Sequence, residues 1–325
     1  MRILFAGTPD MAVPTLHALA DAESVVGVLT APDRSKGRGR RLLPSPVKAA
    51  AMERDVPVLQ PPRLGAEARE AVRELEPEIL VVVAYGRIFG PKFLSLFPRG
   101  GINLHPSLLP KYRGPSPIPA AILAGESRTG ITVQRVAREM DSGDILRQEE
   151  LPLSGTETTA SLSDYVAREG AKLVLETVRD LAEGRAAPSP QDHDEASYCG
   201  LISKQDGEID WSSSAARIER MTRAYNPWPG AYTFFGDQRL TIWRAEVLPA
   251  GPEAAGLAGA AAPGAAEGTN PGLVLGVDKA RGILIQTGDG VLAAQRLQLQ
   301  SRSAADWQSF LNGARDILNG TLGRH

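Results

Sequence analysis

Asn103 and His105 stand two residues apart at the end of the apolar run "GGINLH" (100–105). Alternate residues of an extended strand share a face, so the two side chains project together. They start roughly 7 Å apart, given a rise of about 3.3 Å per residue. An Asn amide donates N–H, and a His ring donates or carries a proton near neutral pH. Two such donors aimed at one point suit an oxygen that becomes negative in a transition state. Asp141, in the Gly-containing turn of "REMDSGDIL" (138–146), is the third candidate. A carboxylate on a neighbouring loop would orient His105, hold it protonated and raise its pKa. The same residue types also serve strand ends and turns, where Asp and Asn bond their own backbone.

The elements around them favour the chemical reading. The Val- and Ile-rich runs 2–7, 25–30, 78–85 and 100–105 predict strands buried on both faces of a parallel sheet. Helical patterns lie between them, near 9–20, 45–54 and 65–75. This alternation predicts a doubly wound α/β domain, whose ligands sit beyond the carboxyl ends of the strands, where Asn103 and His105 stand. The first strand runs into "FAGTPDMA" and carries no Gly-x-Gly-x-x-Gly, which argues against a dinucleotide cofactor. Apolar residues from Leu162 to Leu181 recur at three- and four-residue steps and predict one long helix over 158–184. A polar, proline-containing stretch follows and suits a linker. The expected organisation is a catalytic domain over 1–183, a linker over 184–203 and a second domain over 204–325. In the second domain a helix near 213–224 precedes short strands separated by Gly and Asp turns, which suit a small β-barrel or sandwich. The Ala/Gly/Pro-rich insert 249–272 suits a mobile surface loop.

Composition narrows the function classes. The chain has 325 residues and a net charge of −2, so nucleic-acid binding requires a local basic patch. No run of 18 uncharged apolar residues suggests a membrane span, and the start "MRILFAGTPDM" does not resemble a signal peptide. Cys199 is the single cysteine and cannot form an internal disulfide, consistent with the cytoplasm. Four scattered histidines leave little material for a metal site, and none is expected. Cys199, His17, His193 and His325 are assigned no function.

"INLHPSLLPKYRG" followed by "MDSGD" resembles the 10-formyltetrahydrofolate-dependent formyltransferases. The pattern matches at Asn103, His105, Ser107, Leu108, Leu109, Pro110 and Asp141, and the likeness runs nearly the length of the chain. The resemblance implies a Rossmann-like catalytic domain followed by an OB-fold-like β-barrel. It also implies formyl transfer from N10 of a reduced folate to an amine, with Asn103, His105 and Asp141 catalytic. Ser107, Leu108, Leu109 and Pro110 would line the folate site, with Tyr85 and Gly86 as a neighbouring wall.

The acceptor amine is a separate question, since the family includes enzymes acting on amino-sugar nucleotides. "TAPDRSKGRGRRLLPSPVK" (30–48) follows the second strand and concentrates Arg34, Lys36, Arg38, Arg40 and Arg41. It resembles the loop of family members that formylate methionyl initiator tRNA. Lys204 and Arg223, with Arg217 and Arg220, are candidate phosphate contacts in the second domain, where basic and acidic residues balance from Lys204 onward. Leu201 stands where the family commonly has lysine. The expectation is a monomer acting on methionyl initiator tRNA. The rivals are an amino-sugar formyltransferase and a non-catalytic folate- or RNA-binding protein.

Overall fold

The computed structural model describes residues 1–36, 41–248, 270–318 and 320–324, and of residues 34–36 and 41 it describes the backbone. The chain forms two compact units. The first comprises Met1–Ile118, Ser127–Leu153 and Ser161–Leu201, and the second comprises Pro119–Glu126, Ser154–Ala160 and Ile202–His325.

Strands of the first unit are β1 (Arg2–Gly7), β2 (Ser24–Leu29), β3 (Arg34–Lys36), β4 (Arg41–Leu43), β5 (Val58–Leu59), β6 (Ile79–Val83), β7 (Gly101–His105), β8 (Arg128–Arg135) and β9 (Ile145–Pro152). Seven form one sheet in the order β5-β2-β1-β6-β7-β8-β9, and β3 pairs with β4 as a separate hairpin. From β5 to β7 the pairing is parallel, and β8 and β9 extend the sheet antiparallel. Helices α1 (Val13–Ala22), α2 (Pro46–Met52), α3 (Ala66–Glu74) and α4 (Pro91–Leu94) fall between parallel strands. The central strands are buried throughout β6 and nearly so in β1, as their unbroken apolar runs require of a sheet covered on both faces. Leu4, Leu29, Leu80 and Val82 pack with Val72 and a ladder of aromatic rings, Tyr85, Phe89, Phe93 and Phe97.

Register places the candidate residues. Asn103 of β7 lies opposite Gln134 of β8, and His105 lies opposite Thr132. Two-residue spacing puts all four side chains on one face. Helix α5 (Pro117–Ala124) separates β7 from β8, and α6 (Thr159–Ala182) follows β9. Of the stretch expected as a linker, 184–203, residues 184–201 belong to the first unit. Ser189 exchanges both backbone hydrogen bonds with Ile145, at 2.8 and 2.9 Å, and Tyr198 bridges to Arg113.

The second unit carries α7 (Ala215–Ala224), then β10 (Ala231–Phe235), β11 (Gln238–Leu248), β12 (Val274–Asp278), β13 (Gly282–Gln286), β14 (Val291–Leu299), β15 (Ala305–Asp306) and α8 (Trp307–Asn312). Its antiparallel sheet has the order β10-β11-β14-β13-β12, with β15 on β14. Ser214 caps α7 by accepting from the Arg217 amide. Most of the insert expected over 249–272 lies outside the described residues. Trp228, in the "NPWPG" turn, is 52% exposed. The turn closes through its backbone, with Gly230 N–H donating to the Tyr225 carbonyl at 2.9 Å.

Candidate active site

The structure brings Asn103, His105 and Asp141 together at the end of β7. Asp141 lies in the β8–β9 turn at φ 53°, an uncommon conformation for a non-glycine residue. Its carboxylate gathers four groups. Oδ1 accepts from Gln134 Nε2 at 2.9 Å and Asn103 Nδ2 at 3.4 Å. Oδ2 accepts from the Gly114 amide at 2.9 Å and lies 3.6 Å from His105 Nδ1. Thus Asn103 and His105 approach opposite oxygens of one carboxylate.

The Tyr112 carbonyl fixes the His105 tautomer. It lies 2.9 Å from Nε2 and can only accept, so Nε2 carries the proton in neutral His105. Nδ1 is then the basic nitrogen, and it faces Asp141. The His105 pKa departs from the expectation. Burial pushes it below the usual histidine value, outweighing the Asp141 charge and the Tyr112 carbonyl, which both raise it. His105 is 3% exposed, and that desolvation cannot be read from two residues of sequence. The resting ring is neutral.

The "SLLP" segment forms a tight turn over β8. Ser107 and Leu109 are buried, and Leu108 and Pro110 are partly exposed. Ser107 Oγ donates to the Lys111 carbonyl at 2.6 Å. Thr132 Oγ1 donates to the Ser107 carbonyl at 2.6 Å and accepts from the Leu109 amide at 3.3 Å. Tyr85 is also buried, stacked on Phe89, and its hydroxyl has no hydrogen-bond partner among the described residues. Gly86, one residue on, is exposed at φ 78°.

Three participants escape sequence reasoning: Gln134, Gly114 and Gln191. Gln191 lies in the polar stretch after α6 and is buried, donating to Gln134 Oε1 at 3.1 Å and to the Asp141 carbonyl at 2.9 Å. Neutral amides carry no charge signal. The cross-strand partner of Asn103 is the one register clue that points to Gln134.

Of the basic candidates, Arg38 and Arg40 lie outside the described residues. Arg34 and Lys36 pair with Leu43 and Arg41 in the β3–β4 hairpin. Its base is anchored: Lys48 Nζ lies 2.6 Å from Asp33 Oδ2, and Gln60 donates to Oδ1 at 2.8 Å. The Lys48 and Gln60 hydrogen bonds hold the Asp33 carboxyl below the usual range. Lys204 is exposed, as are Arg217 and Leu201. Arg223 is engaged by Glu219 at 2.6 and 2.9 Å and by the Glu157 carbonyl at 3.2 Å. Arg220 Nη1 donates to the Ala124 carbonyl at 3.4 Å.

Family comparison matches the formyl transferase model to residues 1–178 and the formyl transferase C-terminal domain model to residues 201–315. A methionyl-tRNA formyltransferase of Treponema denticola is 43% identical over 328 residues, covering 98% of this chain and 99% of that one. A methionyl-tRNA formyltransferase of Chloroflexus aurantiacus is 45% identical over 316 residues, covering 96% and 97%. Among solved structures, WlaRD, a sugar 3N-formyl transferase, shares the fold with a TM-score of 0.62 at 16% identity, covering 93% of this chain and 99% of that one. Family models that cover most of the chain define the protein as a group-transfer enzyme. The chain belongs to the formyl transferase family.

Proposed function

We infer that this enzyme transfers the formyl group of 10-formyltetrahydrofolate to the α-amino group of methionyl initiator tRNA. The observation that carries the acceptor is the full-length likeness, above 40% identity, to enzymes named for that tRNA. The likeness to a sugar formyltransferase reaches the fold alone.

The chemistry follows from the cluster. The amine nitrogen bonds to the formyl carbon, and the carbonyl oxygen gains the negative charge. The Asn103 amide donates to that oxygen. Neutral His105 takes at Nδ1 the proton that the attacking nitrogen loses, and Asp141 Oδ2 stabilises the imidazolium so formed. The proton passes to folate N10 as the C–N10 bond breaks. No covalent bond to the enzyme is needed.

Leu108 and Pro110 of the "SLLP" turn, with the Tyr85–Gly86 backbone, face the folate, while Ser107 and Leu109 hold the turn. Arg34, Lys36, Arg38, Arg40 and Arg41 meet acceptor-stem phosphates, with Lys204 and Arg223 as contacts in the second unit. A monomer is the proposed acting form. Both substrates belong to the translating compartment, the cytoplasm. Among the described residues no helix is long and apolar enough to cross a membrane. The test is formylation of methionyl initiator tRNA beside a nucleotide-linked amino sugar, each with 10-formyltetrahydrofolate. Product on the sugar alone overturns the acceptor.

A further inference from the structure

Among the described residues Arg113 is the largest fully buried side chain, 2% exposed, yet it makes no ion pair with a carboxylate among them. Its Nε and Nη2 donate to Gln191 Oε1 at 3.1 and 2.7 Å. Nη1 donates to the Tyr198 hydroxyl at 3.3 Å, and Nη2 lies 3.1 Å from His193 Nδ1. Gln191, 5% exposed, aims Nε2 at the carbonyls of Asp141 and Gly143, at 2.9 and 2.7 Å, and at Gln134 Oε1, at 3.1 Å.

A guanidinium only donates, so Gln191 must turn its oxygen to Arg113 and its NH2 away. That NH2 obliges Gln134 to present its own oxygen to Gln191, which leaves the Gln134 NH2 for Asp141 Oδ1. One donor-only cation thereby sets two amide orientations in series, and the series ends on the carboxylate that faces His105. The same Gln191 NH2 holds the carbonyls on either side of Ser142, in a turn whose Asp141 has the uncommon φ of 53°. Strained backbone of this kind persists where its surroundings over-determine it. The buried positive charge on Gln191 Oε1 also strengthens the donors on the amide's other end.

We propose that Arg113 and Gln191 are positioning residues for formyl transfer, fixing the Asp141 carboxylate in register with Asn103 and His105. The proposal rests on the catalytic reading of Asp141. Gln191 reaches the site from the segment after α6, and neither residue touches substrate.

The test compares Gln191→Glu, Gln191→Leu and Asp141→Asn in the full-length enzyme with 10-formyltetrahydrofolate and methionyl initiator tRNA. Gln191→Glu keeps an oxygen for Arg113 and so keeps the buried charge paired, but faces oxygen to the Asp141 turn. Each Gln191 variant should lower kcat roughly 10- to 100-fold, the cost of a small misplacement of a reacting group. KM for both substrates should stay near the parent value, because no binding contact is removed. The titratable and charged groups around Gln191 are Arg113, Asp141, His105 beyond Asp141, and His193 beyond Arg113. A new carboxylate there favours protonated His105, so Gln191→Glu should move the kcat/KM midpoint up in pH. Gln191→Leu loosens Asp141 and should move it down. A His193→Asn control should leave the midpoint in place. Parent-like kcat in both Gln191 variants, with Asp141→Asn inactive, overturns the proposal and leaves the catalytic reading standing. Lost activity with an unmoved midpoint assigns Gln191 to folding alone and also overturns it. A fully active Asp141→Asn overturns the reading of Asp141 itself.

Discussion

Gly114→Ala tests the geometry around Asp141 directly. Gly114 has φ 120°, and its amide donates to Asp141 Oδ2 at 2.9 Å. A Cβ there would lie 2.2 Å from the Cys199 carbonyl oxygen. That oxygen is backbone and cannot swing away. Arg113 N–H donates to the Ser197 carbonyl, and Cys199 N–H to the Arg113 carbonyl, each at 2.8 Å. Relief therefore requires parting those two hydrogen bonds, worth about 0.5–1.5 kcal/mol each. The backbone conformation adds about 1–3 kcal/mol for any residue with a Cβ. Weakening the amide–carboxylate bond adds a further ~1.5 kcal/mol or more. The sum, roughly 3.5–7.5 kcal/mol, corresponds to a Tm loss on the order of 10 °C or more for a unit of this size. Gly184→Ala is the control. It has φ 72°, follows the end of α6, and a Cβ there meets nothing within 4 Å. It should carry the conformational cost alone, a loss of a few degrees. Displacing the amide should also let Asp141 shift and lower kcat about 100-fold, while Gly184→Ala keeps parent kcat. Thermal unfolding and single-turnover formylation read the two effects separately. A Gly114→Ala protein that melts with Gly184→Ala and turns over like the parent would refute the reasoning.

Asn103→Ala removes a donor to the developing oxyanion and should lower kcat roughly 10²- to 10³-fold, with folate affinity held; unchanged kcat ends that role. Arg38→Ala should raise KM for the tRNA and spare folate binding, and equal kcat/KM on the tRNA excludes the basic segment from recognition. His105 is held neutral by burial, its folded pKa below the ordinary ~6.5 of the unfolded chain. That stability is therefore fully present above about pH 6.5 and lost as pH falls through the window below, by up to about 1.4 kcal/mol per pH unit. His105→Gln should flatten the fall of Tm between about pH 6.5 and 5, and parallel slopes in the two proteins would contradict neutral burial.

The parallel half of the first unit was legible because strands buried on both faces must be apolar along their whole length. β6, with five buried residues in a row, is the clearest case. β5 was invisible because two residues make no pattern, and β3 and β4 were masked by their charge. Asn103, His105 and Asp141 could be selected because their types carry chemistry. Gln134 and Gln191 could not, because a neutral amide becomes meaningful only when three dimensions place it against a carboxylate. Burial separates expectation from structure at His105: two residues of sequence reveal a possible ion pair but not the desolvation that opposes it.

The packing of residues 184–201 on the first unit bears on the order in which the protein is made. Chains fold from the N-terminus as they are synthesised. When α6 emerges, the seven-stranded sheet is fully encoded, and Asn103, His105 and Asp141 are already in the nascent chain. Arg113 is there too, but Gln191 and Tyr198 are not, so its guanidinium lacks the oxygens that meet it in the finished protein. A buried cation without partners is among the costliest groups a fold can hold. The nascent first unit therefore has reason to stay open around Arg113 until the following segment arrives. On the proposed reading of the site, arrival of that segment turns a sheet bearing Asn103, His105 and Asp141 into a set site.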